Sequence, residues 1–150
     1  MDKSAFKSNL KKICMAMQKN RMDVLQTAMN EAQQSANEYG PPKDRYDSYR
    51  MQLLRKKELF GIQLQKATGE FSALENINTG KEMDKVDIWA VVITTGQKLF
   101  ISIGLGKVET ENEIFYAISP NVPLFNVIKG LKKGGSFIFN GKTSEIVDVF

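Results

Sequence analysis

Apolar residues recur along the first segment at Phe6, Leu10, Ile13, Met17, Val24, Ala28 and Ala32. They are three, four or seven residues apart, the spacing of one face of an amphipathic helix. No glycine or proline interrupts residues 3–38, so the pattern predicts a single helix with a polar gap at Asn20 and Arg21. At 1.5 Å per residue such a helix would run ~54 Å. Its stripe thins into Ala28, Ala32 and Ala36, small residues that let a second helix approach closely. The stretch Tyr39-Gly40-Pro41-Pro42-Lys43-Asp44-Arg45-Tyr46-Asp47 cannot continue the helix, because proline lacks the amide donor and crowds the preceding turn. A second helical pattern follows at Tyr46, Tyr49, Leu53, Phe60, Leu64, Ala67, Phe71 and Leu74, with a polar skip near Lys56 and Lys57 and a glycine stop at Asn78-Thr79-Gly80. Two long helices joined by a tight turn predict an antiparallel coiled-coil hairpin over residues 1–80, with its tip at 39–47.

The period changes after the charged connector at residues 81–85. Val86–Thr95 is rich in β-branched residues and ends in the turn Thr95-Gly96-Gln97. Further strands are predicted over Lys98–Ile103, Lys107–Thr110 and Glu113–Ser119, the last with Ile114, Tyr116 and Ile118 alternating against Phe115 and Ala117. Pro120 and Pro123 then break the sheet, and Leu124–Gly130 fits a short helix closed by glycine. Ser136–Asn140 and Thr143–Val149 complete a hairpin. Residues 84–150 therefore predict a small domain with a twisted antiparallel sheet and one short helix, making the chain α+β.

Composition narrows the chemistry. The chain has 150 residues, one cysteine and no histidine. An internal disulfide is impossible, and Cys-His and Ser-His-Asp nucleophile systems and histidine zinc sites are excluded. Cys14, between Ile13 and Met17, is expected to pack rather than react. No apolar run approaches the ~20 residues of a membrane span, and the charged amphipathic N-terminus has no signal-peptide core, so cytoplasmic residence without a membrane partner is the expectation. The formal net charge of +4 belongs to the first 80 residues, which carry 13 Lys/Arg against 9 Asp/Glu. That excess suits an acidic surface or nucleic acid, and equally a solvated coiled-coil flank. Catalysis by this chain alone would rest on carboxylates or lysines. Asp44 and Asp47 at the tip are the candidates, with helix capping as the plain alternative. Glu38 reads as a solvated residue of the last turn, and Lys129, Lys132 and Lys133 as either a basic patch or solvated turn residues.

Certain residue runs bear a family likeness. Ile118-Ser119-Pro120-Asn121-Val122-Pro123-Leu124, followed by Ile128-Lys129-Gly130-Leu131-Lys132-Lys133-Gly134, resembles the S-P-x-x-P-L-G-x-A-L-L-G-K-K-x-G-D pattern of the bacterial Gre-type transcription elongation factors (GreA/GreB). Lys142–Val149 resembles that family's closing strand, and Asp44-Arg45-Tyr46-Asp47 its acidic D-x-x-E tip. The resemblance implies an FKBP-like fold for residues 84–150. It implies a factor, not itself an enzyme, that binds RNA polymerase and inserts its hairpin into the secondary channel to stimulate cleavage of backtracked RNA. Asp44 and Asp47 would be the catalytic and metal-binding residues, holding a magnesium ion shared with the polymerase; two carboxylates make a poor magnesium site alone. Ser119, Pro120, Pro123, Leu124, Lys129, Gly130, Lys132 and Lys133 would be partner-binding, with RNA contacted indirectly and no small-molecule substrate expected. The sequence departs from the pattern where Asp47 replaces glutamate, Phe125 glycine and Gly135 aspartate. Those departures suggest a divergent Gre-like regulator that occupies the channel without cleavage; a coiled-coil protein-interaction module is the alternative from another class.

Overall fold

The structure, a computed structural model, describes residues 2–44 and 47–150. Arg45 and Tyr46, the latter assigned by its spacing to the helical seam, lie outside the described residues. The fold is α+β: a long helical pair, α1 (Lys3–Tyr39) and α2 (Ser48–Glu75), precedes a six-stranded, mostly antiparallel sheet. Among the described residues no helix is long and apolar enough to cross a membrane. The chain divides into two units, one formed by Met17–Ser72 and the other by the residues through Ala16 together with Ala73–Phe150.

Within Met17–Ser72 the helices run antiparallel. Gln18 Nε2 donates to the Ala67 carbonyl at 2.9 Å, Lys57 Nζ to Gln33 Oε1 at 2.7 Å, and the Tyr39 and Tyr49 rings meet edge-on at 4.9 Å. As α1 advances from 18 to 39, its partners on α2 retreat from 67 to 49. Ala32, Ala36 and Ala67 are buried along this seam, where the absence of bulky side chains lets the backbones come close. The seam corrects the sequence reading at Val24, which is 59% exposed. The inward positions are instead Gln18, Met22, Leu25, Met29, Ala32 and Ala36, with no skipped turn. A glutamine occupies a core position there, and its polarity is what hid the true stripe.

The other unit carries β1 (Val91–Thr94), β2 (Lys98–Ile101), β3 (Gly106–Thr110), β4 (Glu113–Ile118), α3 (Pro123–Ile128), β5 (Ser136–Phe139) and β6 (Lys142–Val149). The strand order is β3-β4-β2-β1-β6-β5. All neighbours are antiparallel except β2 and β4, which pair in parallel through Leu99–Tyr116, Phe100–Ala117 and Ile101–Ile118. The wholly antiparallel sheet expected from sequence thus fails at one pairing. The chain leaving β2 passes over one position, and β4 returns into the gap, antiparallel to β3 and parallel to β2. The first strand also begins later than its β-branched run suggests. Val86 exchanges main-chain hydrogen bonds with Leu131 and Gly130 rather than joining the sheet, and Trp89 adopts φ 71° before β1 starts. Left-handed backbone is costly for a bulky residue, and it ends the turn that feeds the strand.

One sheet face is covered by α3, whose Leu124, Phe125 and Ile128 join Val92, Leu99 and Ile101 in the core. Phe6 packs on Phe115 and Phe150, with centroids 5.3 and 6.1 Å away. Cys14 is buried, and burial pushes its thiol up to about 12, so it packs as expected and stays protonated at neutral pH. Lys11 Nζ donates to the carbonyls of Glu75 at 2.7 Å and Ile77 at 3.2 Å. It thereby satisfies groups that the end of α2 leaves without an intrahelical donor.

Candidate functional site at the hairpin tip

The turn between the helices is built from its main chain upward. Gly40 closes α1 with φ 89°, its amide bonded to the Ala36 and Asn37 carbonyls at 3.1 Å. A residue with a Cβ would be strained there, so glycine is the stop signal. The chain then passes Pro41 and Pro42 and enters α2 at Asp47. Of the two carboxylates that the sequence offers as caps, Asp47 is the one that caps α2. Its Oδ1 accepts the Arg50 amide at 3.3 Å, the N-cap to N3 geometry. The same oxygen accepts the Tyr39 hydroxyl at 3.1 Å, and Oδ2 accepts the Lys43 amide at 3.0 Å. Asp44 contributes its carbonyl to the Asp47 amide at 3.3 Å.

These contacts set the electrostatics of the tip. The Lys43 amide, with the Arg50 amide and the Tyr39 hydroxyl, holds the Asp47 carboxyl below its ordinary value against partial desolvation. Desolvation and the hydrogen bond to Asp47 push the Tyr39 hydroxyl up. Tyr39 also lies beneath the Lys43 ammonium, 5.2 Å from the ring centroid, and Arg50 Nε donates to the Gly40 carbonyl at 3.0 Å. Tyr39, Lys43 and Arg50 thus surround the Asp47 carboxylate, contacts that motif reading did not foresee. The available signal was the three-residue interval from Asp47 to Arg50, which places an N3 amide above an acidic N-cap.

Asp44 and Asp47 line one shallow hollow of about 90 Å³, together with Pro42, Arg50 and Met51. Among the described residues no group of three or more acidic or cysteine side chains is placed to hold a metal ion. Asp44 and Asp47 are therefore a pair at most. Magnesium accepts one or two protein carboxylates when water and phosphate fill its other positions, so a shared ion fits the donor set and an ion held by this chain alone does not. The Asp47 carboxylate already accepts three protein donors.

The second group of sequence-proposed residues surrounds α3. Ser119 Oγ accepts the Asn121 amide at 3.1 Å and Pro123 occupies the first turn of α3, where its missing amide is harmless. Leu124 is a core residue that also lines a hollow of about 360 Å³ with Phe137, Phe139 and Lys142. Gly130 turns the chain at φ 83° and donates its amide to Val86. Pro120 is half-buried, and Lys129, Lys132 and Lys133 are exposed. Lys129 sits over the Phe125 ring at 5.9 Å, while Lys132 lies 3.9 Å from Asp84 in a solvated pair of little energetic weight. Of the proposed partner-binding residues only Leu124 is buried; Pro123 and Gly130 are exposed with the three lysines, and Ser119 is half-buried like Pro120.

No protein-family model matches the chain, and no curated protein matches it. Among solved structures, that of the transcription factor Gfh1 is similar over 92% of this chain and 94% of that one, with 14% identity and a TM-score of 0.34. At that level the likeness carries no argument about this chain.

Proposed function

We propose that this protein is a Gre-like factor that binds RNA polymerase and acts in transcript elongation through its hairpin tip, stimulating cleavage of backtracked RNA. The observation that carries the reading is the antiparallel helical pair closed by a turn at which Asp44 and Asp47 line one hollow. The resemblance of Asp44–Asp47 and Ser119–Gly134 to Gre-type segments supports it. Asp44 and Asp47 would hold a magnesium ion jointly with the polymerase and the RNA phosphate. When bound, that ion supplies charge neutralisation at an in-line phosphoryl displacement. This chain's part is to carry two carboxylates on a turn fixed by the Gly40 stop, the Asp47 cap and the Tyr39–Asp47 hydrogen bond.

A second reading, occupation of the channel without cleavage, is favoured by one specific observation. Both Asp47 oxygens are engaged inside the tip, and aspartate is one methylene shorter than the glutamate of the Gre pattern. Placement errors near 1 Å can cost about a hundredfold in rate. The test uses backtracked elongation complexes of the source organism's polymerase, with wild-type protein and Asp44→Ala/Asp47→Ala. Cleavage stimulated by the wild type and lost in the variant, with polymerase binding retained, is the expected result. Binding without cleavage in either protein selects channel occupation, and absence of binding at low salt overturns both.

A further inference from the structure

The two edges of the sheet are finished differently. β3 carries Lys107 and Glu109, paired at 3.2 Å, and charge is what keeps an exposed edge from recruiting another chain. β5, Ser136-Phe137-Ile138-Phe139, has no charge, no proline and no positive φ. Ile138 is 66% exposed, more than any other large apolar residue described. Phe137 and Phe139 alternate onto the other face, where they are half-buried and line a hollow with Leu124.

The register shows which main-chain groups of β5 point outward. Asn140 and Gly141, with φ 52° and 76°, make a two-residue hairpin turn. Phe139 and Lys142, which flank it, form a hydrogen-bonded pair across the hairpin, and Phe137 and Ser144 form the next one. The intervening pairs, Ile138–Thr143 and Ser136–Glu145, are of the non-bonded kind. Glu145 agrees with that phase: its carbonyl accepts the Thr95 amide at 3.0 Å and its amide donates to Thr95 Oγ1 at 3.1 Å, both away from β5. The amides and carbonyls of Ser136 and Ile138 therefore face away from β6, and none of them has a partner among the described residues.

Charge selects what can pair there. Residues 114–144 hold four lysines and no Asp or Glu. Lys132 and Lys133 precede the strand and Lys142 follows it, all exposed. Asp84 lies 3.9 Å from Lys132 and Glu145 stands opposite Ser136, which leaves Lys133 and Lys142 without an ion pair among the described residues. A second copy adding antiparallel would set the lysines before one β5 beside the lysine after the other, and like charges across strands are destabilising. An acidic strand meets opposite charge at both ends. We propose that β5 is a docking edge for an extended acidic segment of another protein, which adds to the six strands as a further one. Its main chain bonds to Ser136 and Ile138, its side chains flank Ile138 on one face and Phe137 and Phe139 on the other, and its carboxylates lie near Lys133 and Lys142. This edge is separate from the hairpin tip and independent of the polymerase reading.

The experiment titrates the full chain, ¹⁵N-labelled, with the acetylated and amidated peptide Glu-Asp-Val-Thr-Val-Thr-Asp-Glu, reading amide resonances by NMR. The parallel probes are the same peptide with every acid replaced by lysine and the same peptide N-methylated at its four central residues. Saturable shifts centred on Ser136 and Ile138 are expected, with hydrogen exchange at those two amides slowed about tenfold or more at saturation. Both parallel probes should bind about tenfold or more weakly, one for lost charge pairing and the other for lost main-chain donors. Ile138→Pro, which deletes an outward amide at a position where an edge strand tolerates proline, should abolish binding. If that variant does not fold, Lys133→Glu/Lys142→Glu at exposed positions serves: it should weaken the acidic peptide and strengthen the lysine one. Failure to saturate, or equal binding of either parallel probe, overturns the proposal. Concentration-dependent shifts at Ser136 and Ile138 without peptide overturn it too, by assigning the edge to a second copy of this chain.

Discussion

Replacing Gln18 with methionine should make the helical hairpin more stable. Gln18 is fully buried in the seam, where Nε2 donates to the Ala67 carbonyl at 2.9 Å and Oε1 has no partner. A buried acceptor without a donor costs about 1–3 kcal/mol, while one net hydrogen bond contributes about 0.5–1.5 kcal/mol. Removing the amide leaves little behind it unsatisfied. Ala67 lies eight residues before the end of α2, so its carbonyl keeps the amide one helical turn ahead. Methionine has similar length and adjusts to irregular space, so it fills the site without a cavity. The net expectation is a gain of about 1 kcal/mol, or roughly 2–4 °C in melting temperature for a chain of this size. Ellipticity at 222 nm follows the helices, while fluorescence of Trp89, the single tryptophan, follows the sheet-bearing unit. The upward shift should be larger in ellipticity. A loss of 1 kcal/mol or more would refute the reasoning and show that the Gln18 amide is worth more to this seam than the orphaned oxygen costs.

Gly69→Ala should stabilise α2 by about 1 kcal/mol in urea denaturation, since a Cβ there meets nothing within 4 Å. Gly61→Ala should gain less, because its Cβ would lie 3.3 Å from the Met29 methyl, which must move; an equal or larger gain at Gly61 would contradict the packing. Gly130→Ala should destabilise by about 1–2 kcal/mol through its left-handed backbone, a loss visible in thermal melts followed by Trp89 fluorescence. Asp47 has a lowered pKa, so the hydrogen bonds it accepts are present above the ordinary carboxylate range and lost as pH falls through its own value. Lys43 and Arg50 amide shifts should therefore titrate together below that range, and a midpoint at or above it would exclude the cap. For Lys7, lowered from 10.5 to about 8, the unfolded chain holds the extra proton between those values, so its contribution to stability rises with pH across that window. Lys7→Met should flatten that part of the pH–stability curve.

Local chemistry fixed the reversal at Gly40-Pro41-Pro42, the two helices, the short helix closed by Gly130 and the turns that punctuate the strands. Each follows from a preference expressed within a few residues: a missing amide, a tolerated positive φ, a period of 3.6 or 2. Alternation in Glu113–Ser119 foretold β4 well, because Phe115 and Ala117 face a core while Ile114 and Tyr116 do not. What failed were choices between neighbours of similar local merit. Val24 fits a helical stripe as well as Leu25 does, and only the partner helix decides that Gln18 and Leu25 face inward. Val86–Ala90 has the composition of a strand, yet Val86 bonds to Gly130 and Leu131, more than forty residues away, and only Trp89 and Ala90 reach Ile101. The parallel pairing of β2 with β4 is likewise a contact between strands that β3 separates in sequence. Asp44 and Asp47 were interchangeable as caps until the backbone placed the Lys43 and Arg50 amides around one of them. The inward turn of Lys7 had no local sign, because a lysine at that helical position is ordinarily solvated, and only the packing of Met83 and Phe150 encloses it. Sequence sets what each segment can be; long-range packing and main-chain pairing choose among candidates whose local energies differ by less than about 1 kcal/mol.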